Sequence, residues 1–521
     1  MKQRINKFSY GNRRKGGSGK EPGINYGKRS LILKLCYAII VVLLATELYA
    51  QKAHLRLTID EVIDLARKQS PDVVMAKHNF HSSYWSYCYF KANYLPSLNF
   101  SSTPNFYHQI NVITMPDGTS QFVQQNQLIT NGALSLSQNI ALTGGTLSLT
   151  SDIRRLDLFG LNNGYSYQTN PVSITYSQTL FGYNSLKWAK RTEPLRYEIA
   201  KKNYVTTLEL VAYNAVARFF ALANAQSNLD IARTNYANAD TLYTFAEGRY
   251  KIGRITESEM LQWEVKKLNE ETNLLNAQLN LEDYVQELRA YLGITDSIVI
   301  EAVLSHSVPQ LKIDAEKALE QAFLNNPTVV GWERSRIESE GSVANAKANA
   351  GLQADLYVQF GLSKAGTELS NAYKDPLNQQ QVQVGLRFPI LDWGRRKGQV
   401  RVAESNRNLV ETQIEQDKMN FTMNLIKTVR QFNLQMNQIV VAEKTDYTAH
   451  RRNEVAQKLY VLGRVTILDL NDAILEKDNA KRGYINALSN FWMLYYNIRR
   501  LTLYDFEKDI QLTEDYNLLL K

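Results

Sequence analysis

Hydrophobic positions follow two different periods along this chain, one helical and one typical of β-strands. In the strands, apolar and polar residues alternate, as in Leu356, Val358, Phe360 and Leu362; this spacing gives a strand two unlike faces. In the helices, apolar residues recur every three or four positions and fall on one face. The clearest helical face contains Leu208, Val211, Ala212, Ala215, Phe219, Leu222 and Ala223. The pattern predicts a mainly α protein with a β part.

Two of the predicted helices are unusually long. Residues 187–247 contain one proline, Pro194, and no glycine. At about 1.5 Å per residue, this stretch predicts a rod of roughly 90 Å. Its counterpart, 395–460, has only Gly398 as an interruption. Shorter helices are predicted at about 58–91, 256–292, 313–350 and 466–502. Two short helices placed end to end match one long helix, so we expect antiparallel rods arranged as long coiled α-hairpins.

Between the opening and the long helices the period changes from helical to alternating. The second half alternates at Val382, Val384, Leu386, Phe388 and Ile390, and the first half at Leu134, Leu136, Leu147 and Leu149, on either side of Thr143-Gly144-Gly145. That glycine pair is typical of a hairpin turn. Segments of about ten residues with one apolar face suit a transmembrane β-barrel, although a soluble sandwich has the same pattern. The polar stretches 105–130 and 364–381 are expected to be surface loops.

The two halves of the chain repeat one plan. The opening 58–66 with Ser70-Pro71 is echoed by 313–319 with Asn326-Pro327. Tyr250–Thr256 is echoed by Tyr460–Thr466. We therefore divide the chain into a first repeat, 51–305, with strands at about 94–180 and a helical hairpin at 187–292. The second repeat, 306–505, has strands at about 354–391 and a hairpin at 395–502. Residues 506–521 form a tail.

The first fifty residues are predicted to be a signal peptide with a basic n-region. Ten Lys and Arg residues and two acids precede or flank an apolar run, 35–45, and Ala50 offers a cleavage position. A retained membrane anchor is the alternative. The formal net charge is +9, but this segment carries most of it, so the remainder is close to neutral. A near-neutral body argues against a nucleic-acid partner, and export favours the barrel over the soluble sandwich.

Signatures of enzymes and metal sites are missing from the sequence. It contains no Gly-x-Gly-x-x-Gly, no phosphate-binding loop and no Gly-x-Ser-x-Gly. His78 and His81 share a helix face, but two ligands do not make a metal site. Cys88 is the only cysteine after the signal peptide, which excludes an intramolecular disulfide. We expect a protein that is not an enzyme and that has no cofactor and no metal.

Taken in order, these features resemble the TolC-like outer membrane efflux protein family. The residues that carry the resemblance are Thr58–Ala66 with Ser70-Pro71, Ala92–Leu98, Phe388–Gly394 and the two Tyr-x-x-Gly-Arg turns. The resemblance implies a homotrimer, in which three chains build a β-barrel in the outer membrane of a Gram-negative cell and an α-helical tunnel across the periplasm. It implies a passive exit duct of a tripartite efflux pump or a type I secretion system. The alternative is a periplasmic coiled-coil adaptor or structural protein without a channel.

The resemblance also implies partners and docking sites. An inner-membrane pump of the RND or ABC type would act through a periplasmic adaptor (membrane fusion) protein, and outer-membrane lipid would surround the barrel. The adaptor would dock at two hairpin tips. The tip residues are Ile252, Gly253, Arg254, Leu462, Gly463 and Arg464. Alternatively, the glycines only end helices and the arginines are only solvated.

A pore constriction is expected just past the second tip. Asp469 and Asp472 lie three residues apart and so on one helix face; the family carries acids at these positions. In a trimer they would form stacked acid rings that attract cations, and neighbouring like charges would raise their pKa values. Tyr460 and Arg464 are candidates for closing contacts. In the first half Glu259 matches Asp469, but Gln262 replaces the second acid. An ordinary solvated helix face is the alternative.

Overall fold

The computed structural model describes residues 54–160, 163–295, 298–305 and 308–520. The predicted signal peptide, 1–50, lies outside the described residues. The chain has two compact units. One comprises Met1–Leu55 and Asp296–Ile300, of which the structure describes only a few residues. The other comprises Arg56–Thr295 and Glu301–Lys521 and contains the helices and the large sheet described below.

The helices occur in the same order in both repeats. Those of the first are α1 (Ile59–Gln69), α2 (Pro71–Ala92), α3 (Ser185–Lys251) and α4 (Glu257–Tyr291); those of the second are α5 (Ala315–Asn325), α6 (Pro327–Ala350), α7 (Arg395–Val461) and α8 (Ile467–Thr502), and a short α9 (Tyr516–Leu519) follows. The two long helices, α3 and α7, each have 67 residues and so are about 100 Å long.

The repeated Ser-Pro and Asn-Pro motifs mark the points where one helix ends and the next begins. Ser70 caps α2, and its side chain accepts a hydrogen bond from the Val73 amide. Asn326 caps α6 in the same way, through the Thr328 amide. In both helices the proline stands at the first helical position, where its missing N–H is not needed. The motif therefore specifies a break between two consecutive helices in each repeat.

The helices pack as rods side by side. Helix α3 contacts α2 and α4, α7 contacts α6 and α8, and α3 also contacts α6 and α8, which joins the two repeats. Fully buried side chains line these contacts, and the rings of Phe432 and Phe491 lie 5.0 Å apart. Proteins bury aromatic rings in this way to gain most of their core stability.

Charged residues are also buried between the rods. We call this set the charge cluster; it consists of Arg67, Glu209, Arg499 and Asp505. Glu209 and Asp505 are each 2% exposed. Arg499 Nε donates to Glu209 Oε2 at 2.8 Å and Nη1 donates to Asp505 Oδ2 at 2.5 Å, while Arg67 pairs with Glu209. Burial opposes ionisation of Asp505, but the Arg499 guanidinium and nearby backbone amides hold its pKa below the ordinary value.

Among the described residues, ten strands form three sheets. The strands are β1 (His54–Leu57), β2 (Ser97–Thr114), β3 (Ser120–Ile140), β4 (Gly145–Leu158), β5 (Gly164–Leu180), β6 (Val299–Ala302), β7 (Gln353–Gly366), β8 (Leu377–Arg387), β9 (Tyr504–Asp505) and β10 (Ile510–Gln511). Two sheets are small pairs, β1–β6 and β9–β10. The third has six strands in the order β2-β3-β4-β5-β7-β8, and every neighbouring pair is antiparallel.

The six-stranded sheet has one apolar and one polar face. One register row across all six strands reads Leu98, Leu136, Leu149, Ile174, Phe360 and Gln380; the next row, on the opposite face, reads Ser97, Ser137, Ser148, Thr175, Gln359 and Gln381. The first row lies on what we call the apolar face and the second on the polar face. Large side chains of the apolar face are exposed, Leu149 by 44%.

Two expectations about loops were wrong. Most of 105–130, expected to be a surface loop, belongs to β2 and β3, and their polar side chains pair across the strands: Gln109 Nε2 donates to Gln125 Oε1 at 3.0 Å. Asn- and Gln-rich sequence is therefore the polar face of a hairpin here. Of 364–381, the two ends are strand as well. Conversely, β8 ends at Arg387, before the predicted strand positions Phe388 and Ile390.

The predicted fold class, mainly α with a β part and a duplicated helix–strand–strand–helix plan, is confirmed. The first repeat differs from the second by contributing four strands to the large sheet instead of two. Among the described residues one helix, Ser185–Lys251, has a stretch apolar and long enough to cross a membrane, but 56% of that stretch is buried inside the protein. Packing against neighbouring rods accounts for its apolar character.

Candidate functional site

The two hairpin tips have the same backbone. Helix α3 ends at Lys251 and α7 at Val461, and two residues beyond each end stands a left-handed glycine, Gly253 with φ +68° and Gly463 with φ +69°. At each tip the glycine amide donates to a carbonyl three residues earlier, at 2.8 and 2.9 Å, and the following arginine amide to one five residues earlier, both at 2.9 Å. These bonds define a Schellman turn, in which a left-handed glycine closes the helix. A side chain at either position would be strained.

The return helices start with matching caps. Thr256 caps α4 and Glu259 completes a capping box, in which the Thr256 amide donates to the Glu259 carboxylate at 3.1 Å. Thr466 caps α8 in the same way with Asp469, at 3.0 Å. The sequence signal Thr-x-x-Glu or Thr-x-x-Asp is typical of such boxes. Glu259 and Asp469 are therefore equivalent in structure.

Asp469 is exposed, and its first role is local. The Thr466 hydroxyl donates to its carboxylate at 2.7 Å. Hydrogen bonds from the Thr466 hydroxyl and amide stabilise the ionised carboxylate and lower its pKa. An acid ring is expected to raise the pKa of Asp469, so the hydrogen bonds within one chain shift this pKa in the opposite direction. Asp472 lies one turn further and is exposed; the part of the chain that the structure describes offers its carboxylate no hydrogen bond or ion pair.

Tyr460 joins the two tips within one chain. Its ring contacts that of Trp263 at a centroid distance of 5.9 Å. Trp263, which is 4% exposed, packs with Ala246, Leu470 and Ile474. We call this set the tip cluster, and it contains side chains from α3, α4, α7 and α8. The sequence did not point to Trp263, because its partners come from both repeats and only the fold brings them together.

The remaining predicted tip residues face solvent. Ile252, Gly253 and Arg254 are exposed at the first tip, and Leu462, Gly463 and Arg464 at the second. Ile252 and Leu462 are large apolar side chains, exposed by 71% and 67%. Arg452, which the sequence reasoning missed, pairs with Glu476 and also lowers the pKa of Asp469. The structure thus presents two equivalent apolar-and-basic tips beside a pair of exposed acids.

Long antiparallel rods that end in paired tips, together with one amphipathic sheet, match the architecture expected of the outer membrane efflux protein family. Comparison with known families makes this specific. The chain belongs to the outer membrane efflux protein family, whose model matches residues 62–294 and 318–492. The resemblance to the TolC-like family that the sequence predicted is thereby confirmed.

Individual relatives are distant in sequence. Outer membrane protein TolC of Escherichia coli (strain K12) is 22% identical over 353 residues, which cover 65% of this chain and 70% of TolC. The outer membrane channel CmeC of Campylobacter jejuni has the same fold, with a TM-score of 0.61, 16% identity, and coverage of 88% of each chain. CusC, a protein that forms a transmembrane channel, matches with a TM-score of 0.59 and 16% identity over 84% of this chain and 91% of its own.

Proposed function

We propose that this chain is the exit duct of a tripartite efflux pump or a type I secretion system, located in the outer membrane and extending into the periplasm. Transport through it is passive and is driven by an inner-membrane pump of the RND or ABC type. The observation that carries this proposal is the six-stranded sheet, whose apolar face is exposed and whose opposite face is polar. Lipid on one side and water on the other suit such a sheet.

Assembly follows from the same sheet. Six strands cannot close a barrel alone, since about eight are needed, and open edges in lipid would leave backbone N–H and C=O groups unpaired, which costs several kcal/mol each. We propose a homotrimer, as the family resemblance implies. A soluble coiled-coil adaptor would have no use for an exposed apolar sheet face, which argues against that alternative.

The tips are the proposed docking surface for a periplasmic adaptor protein. Their exposed Ile252 and Leu462 give apolar contact area, and Arg254 and Arg464 give charge. Asp469 and Asp472 are proposed to form the acid rings of the constriction. Because the Tyr460 ring packs on Trp263 of its own chain, we propose that Tyr460 positions the end of α7, while Arg464 is the residue available for contacts between neighbouring tips. Glu259 is proposed only as the capping counterpart of Asp469.

Single-channel conductance of the detergent-purified mature protein in a planar bilayer tests the proposal. We expect cation-selective openings, whose selectivity falls in Asp469→Asn and Asp472→Asn. Glu259→Gln is the matched control, because it removes the equivalent capping carboxylate from the other tip without touching the proposed ring. Equal cation selectivity in the wild type and the three variants would support the channel but contradict the acid ring. A protein that stays soluble without detergent and never conducts would favour the adaptor.

A further inference from the structure

Exposed apolar side chains lie in the segment between the sheet and the second long helix, residues 388–397, which we call the β8–α7 corner. Ile390 and Trp393 are each 90% exposed, and Phe388 and Leu391 are exposed by 61% and 70%. The corner follows β8 directly, so this apolar surface adjoins the apolar face of the sheet. Apolar side chains gain free energy when they leave water, and a surface of this kind therefore calls for a partner.

Basic side chains occupy the same corner. Residues 387–401 include five basic side chains and a single acid, Asp392. Three of the basic residues are consecutive, and no ion pair or side-chain hydrogen bond joins them to another described residue: Arg395, Arg396 and Lys397. Nη1 of Arg396 is buried and still lacks an acceptor within the described ranges. The corner therefore has a surplus of positive charge that the described chain does not neutralise.

These cations stand where a helix disfavours them. Arg395 is the first residue of α7, and the first turn of this helix contains no acid. The N-terminus of a helix carries a partial positive charge, so it repels cations in the first turn and attracts anions. Gly394 occupies the N-cap position and offers no side-chain hydrogen bond to the helix. An anion from outside the chain would relieve this repulsion.

The matching corner of the first repeat shows which features the backbone itself requires. Phe181 and Trp393 both precede a glycine, and both have a left-handed backbone, with φ of 61° and 55°. A bulky side chain is strained in that conformation, so its presence at both corners marks a constraint of the strand-to-helix turn. The next three residues differ, since the first repeat has uncharged residues there: Tyr183, Asn184 and Ser185. The turn therefore does not require the basic triplet.

We propose that the β8–α7 corner binds the phosphate of an anionic phospholipid headgroup in the periplasmic leaflet of the outer membrane. This inference rests on the proposed channel, which places the helical end of the sheet at the periplasmic boundary of the membrane. Trp393 and Ile390 then lie at the level of the headgroups and upper acyl chains, where tryptophan is favoured. The basic triplet pairs with lipid phosphate, as Arg and Lys do at anionic membrane surfaces.

The chemistry of the corner favours this occupant over others. A soluble anion would neutralise the triplet but leave the exposed apolar side chains in water. A zwitterionic lipid would cover the apolar side chains, but its headgroup brings as much positive as negative charge to the triplet. Only an amphiphile with net negative charge satisfies both halves of the corner.

Native mass spectrometry of the detergent-purified protein, incubated with an equimolar mixture of phosphatidylglycerol and phosphatidylcholine, tests the proposal. We expect the wild type to retain phosphatidylglycerol roughly tenfold better, because each basic residue near an anionic surface adds to binding. High salt should weaken this preference by screening. Replacing the triplet by Arg395→Gln, Arg396→Gln and Lys397→Gln should abolish the preference. Keeping the charge with Arg395→Lys and Arg396→Lys should preserve most of it.

The matched control is Lys187→Gln with Lys190→Gln, which removes two exposed cations from the start of α3 and should leave the lipid preference unchanged. The triple variant should fold, since it removes cations that a helix N-terminus disfavours, and far-UV circular dichroism checks this. Equal retention of both lipids by the wild type would overturn the proposal. So would a preference that survives the triple variant or that disappears in the control as well.

Contact between copies is the competing explanation of the exposed corner. A triple variant that no longer forms oligomers but still prefers phosphatidylglycerol would assign the corner to such a contact and overturn the lipid site. In each of these cases conductance in planar bilayers shows that the proposed channel still stands. Failure of the proposed function has a different signature, namely a protein that is soluble without detergent and conducts in no variant.

Discussion

The sheet and the rods of this chain differ in which side chains they expose to solvent. The rods bury many aromatic and aliphatic side chains against one another, although others such as Trp85 and Tyr447 are exposed, and the buried carboxylate of Glu209 is paired with Arg499. The sheet exposes its large apolar side chains along one whole face and shows hydroxyls and carboxamides on the other. A large core therefore lies between the rods of a single chain, whereas the proposed channel leaves the apolar face and the edges of the sheet to be covered by lipid and by further copies.

Arg499→Met should produce the largest effect, because it breaks the charge cluster inside the rods. Removing Arg499 leaves Asp505 buried without a countercharge and leaves Glu209 paired only with Arg67, and we expect a loss of about 3–5 kcal/mol in the free energy of unfolding. Urea unfolding in detergent, followed by far-UV circular dichroism, measures it. The control is Arg56→Met, whose pair with Glu301 is exposed, and this substitution should change the free energy of unfolding far less. Equal losses of unfolding free energy in the two variants would show that the charge cluster stabilises the rods no more than an exposed ion pair does.

Trp263→Ala tests whether the tip cluster joins the two hairpins. Deleting this buried ring should cost about 3 kcal/mol, and Trp263→Phe should cost less because a ring still faces Tyr460. Hydrogen exchange of the amides in the first turns of α4 and α8 should speed up in the Ala variant. If only α4 responds, the cluster does not couple the tips.

Leu149→Lys and Ser148→Lys compare the two faces of the sheet at neighbouring positions. The cost of a lipid-facing lysine rises from near zero at the interface to ~2–4 kcal/mol at the midplane, so we expect a loss of about 2 kcal/mol for Leu149→Lys. Ser148→Lys, on the polar face, should be nearly neutral. The thermal stability of the assembly in liposomes measures both. A reversed order would mean that the apolar face does not contact lipid.

The caps at the tips should give the smallest effect. Thr466→Ala removes the capping hydroxyl of α8 and should cost about 1 kcal/mol. Because the pKa of Asp469 is lowered in the folded protein, its stabilisation is present above the ordinary Asp pKa of about 4 and is lost as the pH falls through the lowered value. Thermal unfolding of the wild type and Asp469→Asn from pH 6 to pH 3 should therefore converge at the acidic end. A constant difference between them would contradict the capping role.

Much of the fold could be predicted from local sequence. Long stretches with almost no glycine or proline predicted the rods. The Tyr-x-x-Gly-Arg motifs predicted both tips, because a Schellman turn needs a left-handed residue. The β2–β3 hairpin was missed in part, since Asn- and Gln-rich segments are typical of loops as well as of a polar strand face. Only pairing across strands, such as Gln109 with Gln125, separates the two.

Contacts between the repeats could not be predicted. Trp263 and Tyr460 belong to different hairpins, and Glu209 meets Arg499 only after α3 and α8 pack together. Each residue is visible in the sequence, but its partner is chosen by tertiary structure. The lowered pKa of Asp469 within one chain has a local cause, since the Thr466 hydroxyl and amide donate hydrogen bonds to its carboxylate, whereas repulsion between like charges predicts a rise.

Labelling of single cysteines along β4 tests the central claim most directly. Leu147, Ser148, Leu149 and Thr150 are replaced one at a time in a cysteine-free background, and the protein in proteoliposomes is treated with a water-soluble maleimide. We predict alternation: positions 148 and 150, on the polar face, react, and 147 and 149, on the apolar face, are protected by lipid. Uniform reaction at all four positions would contradict a sheet that has lipid on one side and water on the other.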